Sequence, residues 1–557
     1  MSKSTNRDTT ANATDSVENR LTRLLDSGVL ARVVPHLAPE TLHQLIRYKG
    51  LEACGELLTN ATPAQLTSLL DLDLWRHPQA GRDEEFDVER FGAWLEVLVD
   101  AGESAAAATV ARLDPSLVIA GLSRYLRLFD PGTFEPTESS DDEAMDRHGK
   151  MNSETPADVA ECEVGGYLVR ARRTDAWDAI ITLLTALETE HSEYFHGVMR
   201  GCRRLSNSTP EIDGLDDLLL EPEQQLLDVT IEREQRRTRR GYATPADARA
   251  FLQMARQTAP PDGSAFTAPL ATNPIAAAYF RSSAEAEDEN DTPTTDDVTA
   301  TSASAGEDVR ASVEAVVKLL DEAGVLPERP RALLESGPDE RTTTPYPLLR
   351  RFMDGVQLHD AEYFRRHHEL GFLANTLLAG CSVQSRPFTE REAADAAASI
   401  CNLGLEYLAG TATLPETFLV DHDLVRVFEA GWSVLYRDVS LFVADQLLST
   451  LGLIRSLDAD VNRELRVLRR ELTTQRAAGT PWLARGAADV LGMLDPAASV
   501  SVLGLLDECP IIPAALTAVL ERLTTPVSPH AFAFVSTTAQ IGDVRVFMRT
   551  LPGLLSG

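Results

Sequence analysis

The sequence of 557 residues is poor in lysine, in aromatic residues and in paired cysteines. No Gly-x-x-x-x-Gly-Lys-Ser/Thr motif is present, which excludes a P-loop nucleotide site. The six cysteines are scattered and form no Cys-x-x-Cys pair, a pattern that fits a reducing compartment better than a disulfide framework. The only four lysines are Lys3, Lys49, Lys150 and Lys318.

Long apolar runs are missing as well. No stretch reaches the ~18 uninterrupted apolar residues that a membrane-spanning helix requires. The N-terminus, MSKSTNRDTTANATDS, is polar and lacks the apolar core of a signal peptide. We therefore expect a soluble, cytoplasmic protein with no membrane partner.

Acidic residues outnumber basic ones by 85 to 52, so the formal net charge is −33. Two short segments carry much of this charge: residues 130–163 have eleven acidic and two basic residues, and residues 282–309 have nine acidic and none basic. So negative a chain repels nucleic-acid phosphates and anionic lipids, and no nucleic-acid partner is expected. The two segments are too polar to form a core, which predicts disorder.

Helix signals dominate the rest of the chain. Thr62-Pro63-Ala64-Gln65 has the hydroxyl cap, the proline at the first helical position and the glutamine at the third that start a helix, and segments 244–247 and 389–392 are similar. Apolar residues recur at helical spacing, and the best strand candidates, 167–169 and 530–535, are short. We predict an all-α fold of irregular stacked helical hairpins, solenoid-like, in two or three blocks joined by acidic inserts.

Composition divides the chain into alternating helical and polar segments. The predicted parts are a disordered tail at 1–14, an N-terminal helical block at 15–129, an acidic disordered insert at 130–163, a middle helical block at 164–281, an acidic disordered linker at 282–308 and a C-terminal helical domain at 309–557.

Several segments are similar to a known family. Residues 45–76, LIRYKGLEACGELLTNATPAQLTSLLDLDLWR, followed by residues 86–102, resemble the bacterial domain-of-unknown-function family 6178, in which a leucine-rich helix pair ends in an Asp-Leu-Asp-x-Trp-Arg turn. Residues 239–252 and 373–408 carry further likeness. The resemblance implies a mainly helical fold and no established activity, so it supplies no functional residues.

A few carboxylate and imidazole side chains have the spacing of metal ligands. Glu188 and His191 form a Glu-x-x-His motif on a predicted helix that also carries Glu193 and His196, whereas His359 and Glu362 have the reverse order. A carboxylate-bridged metal site needs such a motif on each of two helices. We therefore expect a solvated helix face, and no metal or other cofactor, with these residues as the weak alternative.

Two groups of residues are candidates for binding a partner. Trp75 and Arg76 end a helix pair and have the residue types that concentrate binding energy, although such a tryptophan more often fills a gap between hairpins. The second group is an arginine run that could grip an acidic segment, although arginines in the last turn of a helix also complement its dipole. This group consists of Arg236, Arg237, Arg239, Arg240 and Tyr242.

Other polar clusters have simpler interpretations. His367, His368 and Glu369, preceded by two arginines, predict a salt-bridge cluster at a helix end. Asp421 is predicted to cap the next helix, and Cys381 and Cys401 to be buried and inert.

No coherent catalytic constellation emerges, so the catalytic residues stay unknown. The preferred hypothesis is a cytosolic α-helical scaffold or adaptor that binds a protein partner through a groove between helices. The alternative is a helical, metal-dependent enzyme whose site is assembled from Glu188, His191, His359 and Glu362.

Overall fold

A computed structural model describes the chain in several ranges. These are residues 30–76, 84–129, 160–206, 222–257, 273–281, 312–320, 325, 346–411, 413–454, 459–482, 486–513, 516 and 532–555. The predicted tail and the predicted linker at 282–308 lie outside them, as does most of the predicted insert at 130–163.

Two compact units make up the described chain. The first contains residues 30–76, 85–129, 160–206, 222–235, 312–320 and 325, and the second contains the remainder. The boundary falls inside the helix Pro222–Arg239, after Gln235. This division differs from the three predicted blocks, because the middle block is split and residues 312–320 pack into the core of the first unit. Composition marks polar segments but does not record which helices share a core.

Short helices build the first unit. Thr62 caps one of them through the predicted reciprocal bonds: the Gln65 N–H donates to Thr62 Oγ1 at 3.2 Å, and the Thr62 N–H donates to Gln65 Oε1 at 2.8 Å. The helices are Leu30–Val33, Pro39–Lys49, Gly55–Asn60, Pro63–Asp73, Val88–Asp100, Glu103–Val110, Pro115–Tyr125, Trp177–Glu190, Ser192–Ser206 and residues 312–320, with 3-10 turns at Val34–His36 and Leu51–Ala53.

A three-stranded antiparallel sheet also belongs to the first unit. Strand Tyr167–Ala171 lies between Leu126–Phe129 and Glu161–Val164, and Val164 pairs with Tyr167. Gly165 and Gly166 join the last two strands with φ of +56° and +79°, a conformation that glycine adopts without strain in a two-residue hairpin. Residues 161–163 are therefore strand, which corrects the predicted end of the acidic insert. The short pair Trp75–Arg76 and Glu85–Phe86 completes the strands of this unit.

Longer helices build the second unit. They are Pro245–Gln257, residues 274–281, Pro347–Val356, Asp360–Gly380, Glu390–Thr411, Phe418–Asp421, Leu424–Leu435, Phe442–Leu453, Ala459–Ala477, Gly486–Gly492, Pro496–Leu505 and Thr538–Leu555. A π-helical stretch, Tyr436–Leu441, connects two of them. The strand pairs are Ser382–Val383 with Arg386–Pro387, and Ile511–Pro513 with Phe532–Phe534.

Two glycines allow a close crossing of two helices in the second unit. Gly404 on Glu390–Thr411 faces Gly431 on Leu424–Leu435, and a Cβ on Gly431 would lie 2.1 Å from the Ile400 carbonyl oxygen. The backbones therefore touch, which only residues without a side chain allow.

About 75% of the described residues are helical, and the strands form only small sheets. The predicted all-α class is therefore confirmed. Among the described residues, no helix has both the length and the apolar composition needed to span a bilayer.

Candidate functional site

The carboxylate of Asp73 is the centre of a polar cluster in the first unit. Arg90 Nε donates to Asp73 Oδ2 at 2.7 Å, and Trp94 Nε1 donates to the same oxygen at 2.6 Å. His43 Nε2 lies 3.4 Å from Asp73 Oδ1. One carboxylate thus holds side chains from two other helices.

Local sequence places each member of the cluster. Asp73 is the last residue of Pro63–Asp73, and His43 lies in the middle of Pro39–Lys49. Arg90 and Trp94 are four residues apart on Val88–Asp100 and so share one helix face. Asp87 caps that helix by accepting a hydrogen bond from the Arg90 N–H at 3.0 Å, which fixes where the helix begins.

Burial and hydrogen bonding act on Asp73 in opposite directions. Burial alone would raise the pKa of the Asp73 carboxyl, because it disfavours the charged form. Hydrogen bonds from His43, Arg90 and Trp94 outweigh that effect and hold the pKa of Asp73 well below its usual value. Asp73 is therefore ionised at neutral pH, and its charge is balanced inside the cluster.

A cleft of about 470 Å³ opens beside this cluster. Its floor is formed by buried Ile46 and Leu51, and its rim carries the exposed charged side chains of Arg47 and Glu52. The other lining residues are His43, Gly50, Leu72, Asp73, Trp75 and Arg90.

Trp75 is the largest side chain that lines the cleft. It is 6% exposed, and the guanidinium of Arg233 lies 4.3 Å from its ring centroid. Arg233 is held there because its Nε donates to the Asp71 carbonyl oxygen at 2.7 Å. The indole Nε1 of Trp75 is buried and has no hydrogen-bond partner within the described part of the chain. A buried donor without a partner is costly, and a bound acceptor would satisfy it.

The alternative in which Trp75 fills a gap agrees with this burial. Arg76 points the other way: its side chain is 62% exposed and its Nε lies 2.9 Å from Asp87 Oδ2.

The ten residues that line the cleft supply carboxylate, imidazole, guanidinium and apolar groups, and none of them carries a hydroxyl, thiol or amine. An apolar floor with a few convergent charged groups is typical of a ligand-binding pocket.

The arginine run ends the helix Pro222–Arg239, as one of its two interpretations predicted. Gly241 follows the last turn with φ of +86°, and the Tyr242 N–H donates to the Arg237 carbonyl oxygen at 3.1 Å. Arg237 Nη1 donates to both carboxylate oxygens of Glu84, at 2.8 and 2.7 Å, and its guanidinium lies 5.1 Å from the Tyr242 ring centroid. Arg239 and Arg240 are exposed. Partner binding by this run stays a prediction.

The candidate metal ligands do not share a helix in the way predicted. The chain leaves helical conformation at His191, so Glu188 belongs to Trp177–Glu190 and the second motif to Ser192–Ser206. The single predicted helix was wrong because the apolar residues Leu187 and Val198 are eleven residues, or three turns, apart and keep the helical phase across the break.

Glu188 and His191 lie in the first unit, and His359 and Glu362 lie in the second. No group of three or more histidine, cysteine, aspartate or glutamate side chains in the described ranges is arranged to hold a metal ion.

The histidine–glutamate cluster at 367–369 is not at a helix end, which corrects its prediction. It lies inside the helix Asp360–Gly380, where Arg366 and Glu369 form a buried ion pair with Nη1–Oε distances of 2.6 and 2.5 Å. The Leu424 N–H also donates to Glu369, at 2.8 Å. Burial raises the pKa of Glu369 to about 7, against the lowering effect of Arg366.

Two smaller predictions have different outcomes. Asp423, not Asp421, caps Leu424–Leu435, since Asp423 Oδ1 accepts from the Arg426 N–H at 2.8 Å and Asp421 ends its own short helix. Cys381 and Cys401 are buried, and burial raises the pKa of both thiols. Such thiols are poor nucleophiles.

The cleft lies within the part of the chain that matches a known family. The model of the Family of unknown function (DUF6178) matches residues 8–211, which confirms the resemblance for the N-terminal part. The similar segments at 239–252 and 373–408 lie outside that match. No curated protein and no solved structure matches the chain.

Sequence reasoning singled out Trp75 but missed its surroundings. His43, Arg90, Trp94 and Arg233 come from three other helices, and no local motif connects them to Asp73. One feature of the sequence could have indicated this cluster. The Asp-Leu-Asp-x-Trp-Arg segment ends a helix, and side chains of neighbouring helices converge at such ends.

Proposed function

We propose that the protein is a cytosolic scaffold or adaptor, and that the cleft of its first unit binds a segment of a partner protein. The observation that carries the proposal is the Trp75 indole, which lines the cleft with a buried Nε1 that lacks a partner among the described residues. A carbonyl or carboxylate oxygen of the partner would accept this hydrogen bond.

The charges around the cleft favour an acceptor-rich segment. Asp73 is neutralised by its own donors, so the charged groups left to act on a ligand are the cations of Arg47 and of the remaining Arg90 nitrogens, against the single rim carboxylate of Glu52. Arginine binds carboxylates with two parallel hydrogen bonds. A partner side chain with a carboxylate, flanked by an apolar residue for the floor of Ile46 and Leu51, would fit this pattern.

Site-specific photo-crosslinking tests the proposal. A photoreactive phenylalanine at Arg47 should crosslink to a protein partner in cells, whereas the same residue at Arg200, which is exposed on the helix Ser192–Ser206 and outside the cleft lining, should not. Purified partner should then bind the wild-type protein, and Arg47→Glu should weaken that binding by roughly tenfold.

Arg200→Glu is the matched control and should leave the affinity unchanged. Equal affinities for wild type and Arg47→Glu, or crosslinks from position 200 alone, would contradict the assignment of the cleft.

A further inference from the structure

An arginine-rich face lies on the helix Ala459–Ala477 of the second unit. Arg466 and Arg470 are four residues apart and therefore share one side of the helix, with Val467 beside them. Arg469 directly precedes Arg470 in the sequence and lies on the adjacent side of the same helix. All three arginines are exposed, and Val467 is 55% exposed.

These arginines differ from the others on the same helix. Arg463 lies 3.1 Å from Asp460, and Arg476 lies 2.9 Å from Asp445. Within the described ranges, no carboxylate oxygen lies within 4.0 Å of the guanidinium groups of Arg466, Arg469 or Arg470. Like charges four residues apart destabilise a helix, so folding alone does not account for this arrangement.

An exposed leucine extends the surface. Leu453, the last residue of the neighbouring helix Phe442–Leu453, is 73% exposed. It lies close to the arginines, because a Cβ on the preceding residue, Gly452, would be 3.5 Å from an Arg469 guanidinium nitrogen. We call the surface formed by Leu453, Arg466, Val467, Arg469 and Arg470 the arginine–leucine face.

We propose that the arginine–leucine face is a docking site for an acidic, amphipathic helical segment of a protein partner. The two apolar side chains provide contacts for leucines of such a segment, and the three exposed guanidinium groups provide partners for its carboxylates. The local positive charge of this face is complementary to an acidic peptide.

The alternative ligand with the same charge is nucleic acid, and the face fits it less well. None of its five residues is aromatic, so it offers no ring on which a base could stack.

This docking site is separate from the proposed cleft, which lies in the other unit, and either assignment can fail without the other. Its test uses the full-length protein and a fluorescein-labelled peptide of 18 residues built from Glu, Ala and Leu, with the leucines at helical spacing. A second peptide with Lys in place of Glu and an 18-base-pair DNA duplex are the comparison probes. Fluorescence anisotropy at low and at physiological salt measures binding.

We expect the Glu peptide to bind and the Lys peptide not to bind. The double variant Arg466→Glu/Arg470→Glu should weaken Glu-peptide binding at least tenfold, and Leu453→Ala/Val467→Ala should weaken it several-fold. The matched control is Arg249→Glu/Arg365→Glu, which reverses two exposed arginines on other helices of the same unit and should leave binding unchanged.

Because all six altered side chains are exposed, these variants should fold like the wild type, which circular dichroism checks. Three results would overturn the proposal: tighter binding of the DNA than of the Glu peptide, no binding of the Glu peptide, or equal losses in the double variant and its control.

Discussion

Each unit contains a largely buried carboxylate held by an arginine, and the pKa values of the two carboxylates are shifted in opposite directions. The side chain of Asp73 in the first unit is 9% exposed, and that of Glu369 in the second is 6% exposed. The pKa of Asp73 is nevertheless lowered, whereas the pKa of Glu369 is raised to about 7. The exposed fraction of a carboxylate therefore does not determine whether its pKa is raised or lowered.

The pKa values of Asp73 and Glu369 differ because the two carboxylates accept hydrogen bonds from different sets of donors. Asp73 receives hydrogen bonds from three side chains on two helices, at the edge of a cleft that water reaches. Glu369 is bound by Arg366 and one backbone N–H in the interior of its unit, where loss of hydration outweighs both. The first cluster lines a cleft, where we propose that a ligand binds, and the second lies between helices in the interior of its unit.

Breaking the buried pair should have the largest effect. Arg366→Met leaves Glu369 without its cation, and we expect a loss of about 3–5 kcal/mol in unfolding free energy at pH 8, measured by urea unfolding. The raised pKa of Glu369 means that the folded state binds its proton more tightly between about pH 4.5 and 7, so stability falls as the pH rises through that range. The loss in Arg366→Met should therefore be smaller at pH 5.

The double variant Arg366→Met/Glu369→Met should recover most of the stability, and failure to recover it would contradict the role assigned to the pair.

Replacing a helical glycine by alanine should lower the unfolding free energy more at Gly431 in the second unit than at Gly201 in the first. Gly431→Ala places a Cβ 2.1 Å from the Ile400 carbonyl oxygen, and we expect a loss of about 2–3 kcal/mol. In the first unit, Gly201→Ala meets the flexible end of Ile119 at 2.4 Å and should cost about 1 kcal/mol.

Gly371→Ala is the control, because the space around that helical glycine is open and alanine should stabilise by about 0.5–1 kcal/mol. Urea unfolding of the three variants measures the order, and equal losses for Gly431→Ala and Gly201→Ala would show that the backbone contact does not matter.

Removing the charge of Asp73 should destabilise the fold less than breaking the buried pair or substituting Gly431. Asp73→Asn keeps one acceptor oxygen for three donors, and we expect a loss of about 1–2 kcal/mol at pH 7. A lowered pKa contributes stability above the unfolded value and loses it only as the pH falls through the folded value, so the loss should persist at pH 4. Urea unfolding at both pH values tests this, and a loss that disappears at pH 4 would indicate that the pKa is not lowered.

Features that depend only on neighbouring residues, such as helix caps and helix starts, could be predicted from the sequence. The cap at Thr62 and the start at Pro63 follow from hydroxyl, proline and glutamine at fixed spacing, and the structure has both. The break at His191 could not be predicted from the neighbouring residues, because the apolar residues on both sides of it keep the spacing of one continuous helix. The assembly of His43, Arg90 and Trp94 on Asp73 depends on which helices pack together, and a single sequence carries no direct signal of that packing.

The indole N–H of Trp75 gives the most direct test of the cleft. In protein labelled with nitrogen-15 at tryptophan, the Trp94 and Trp432 indoles serve as references, since they already donate to Asp73 and to the Leu252 carbonyl oxygen. Trp75→Phe assigns the resonance. When the crosslinked partner is added, the account predicts a downfield shift and slower exchange for Trp75, with Trp432 unchanged. Saturation with the partner while the Trp75 resonance stays in place would contradict it.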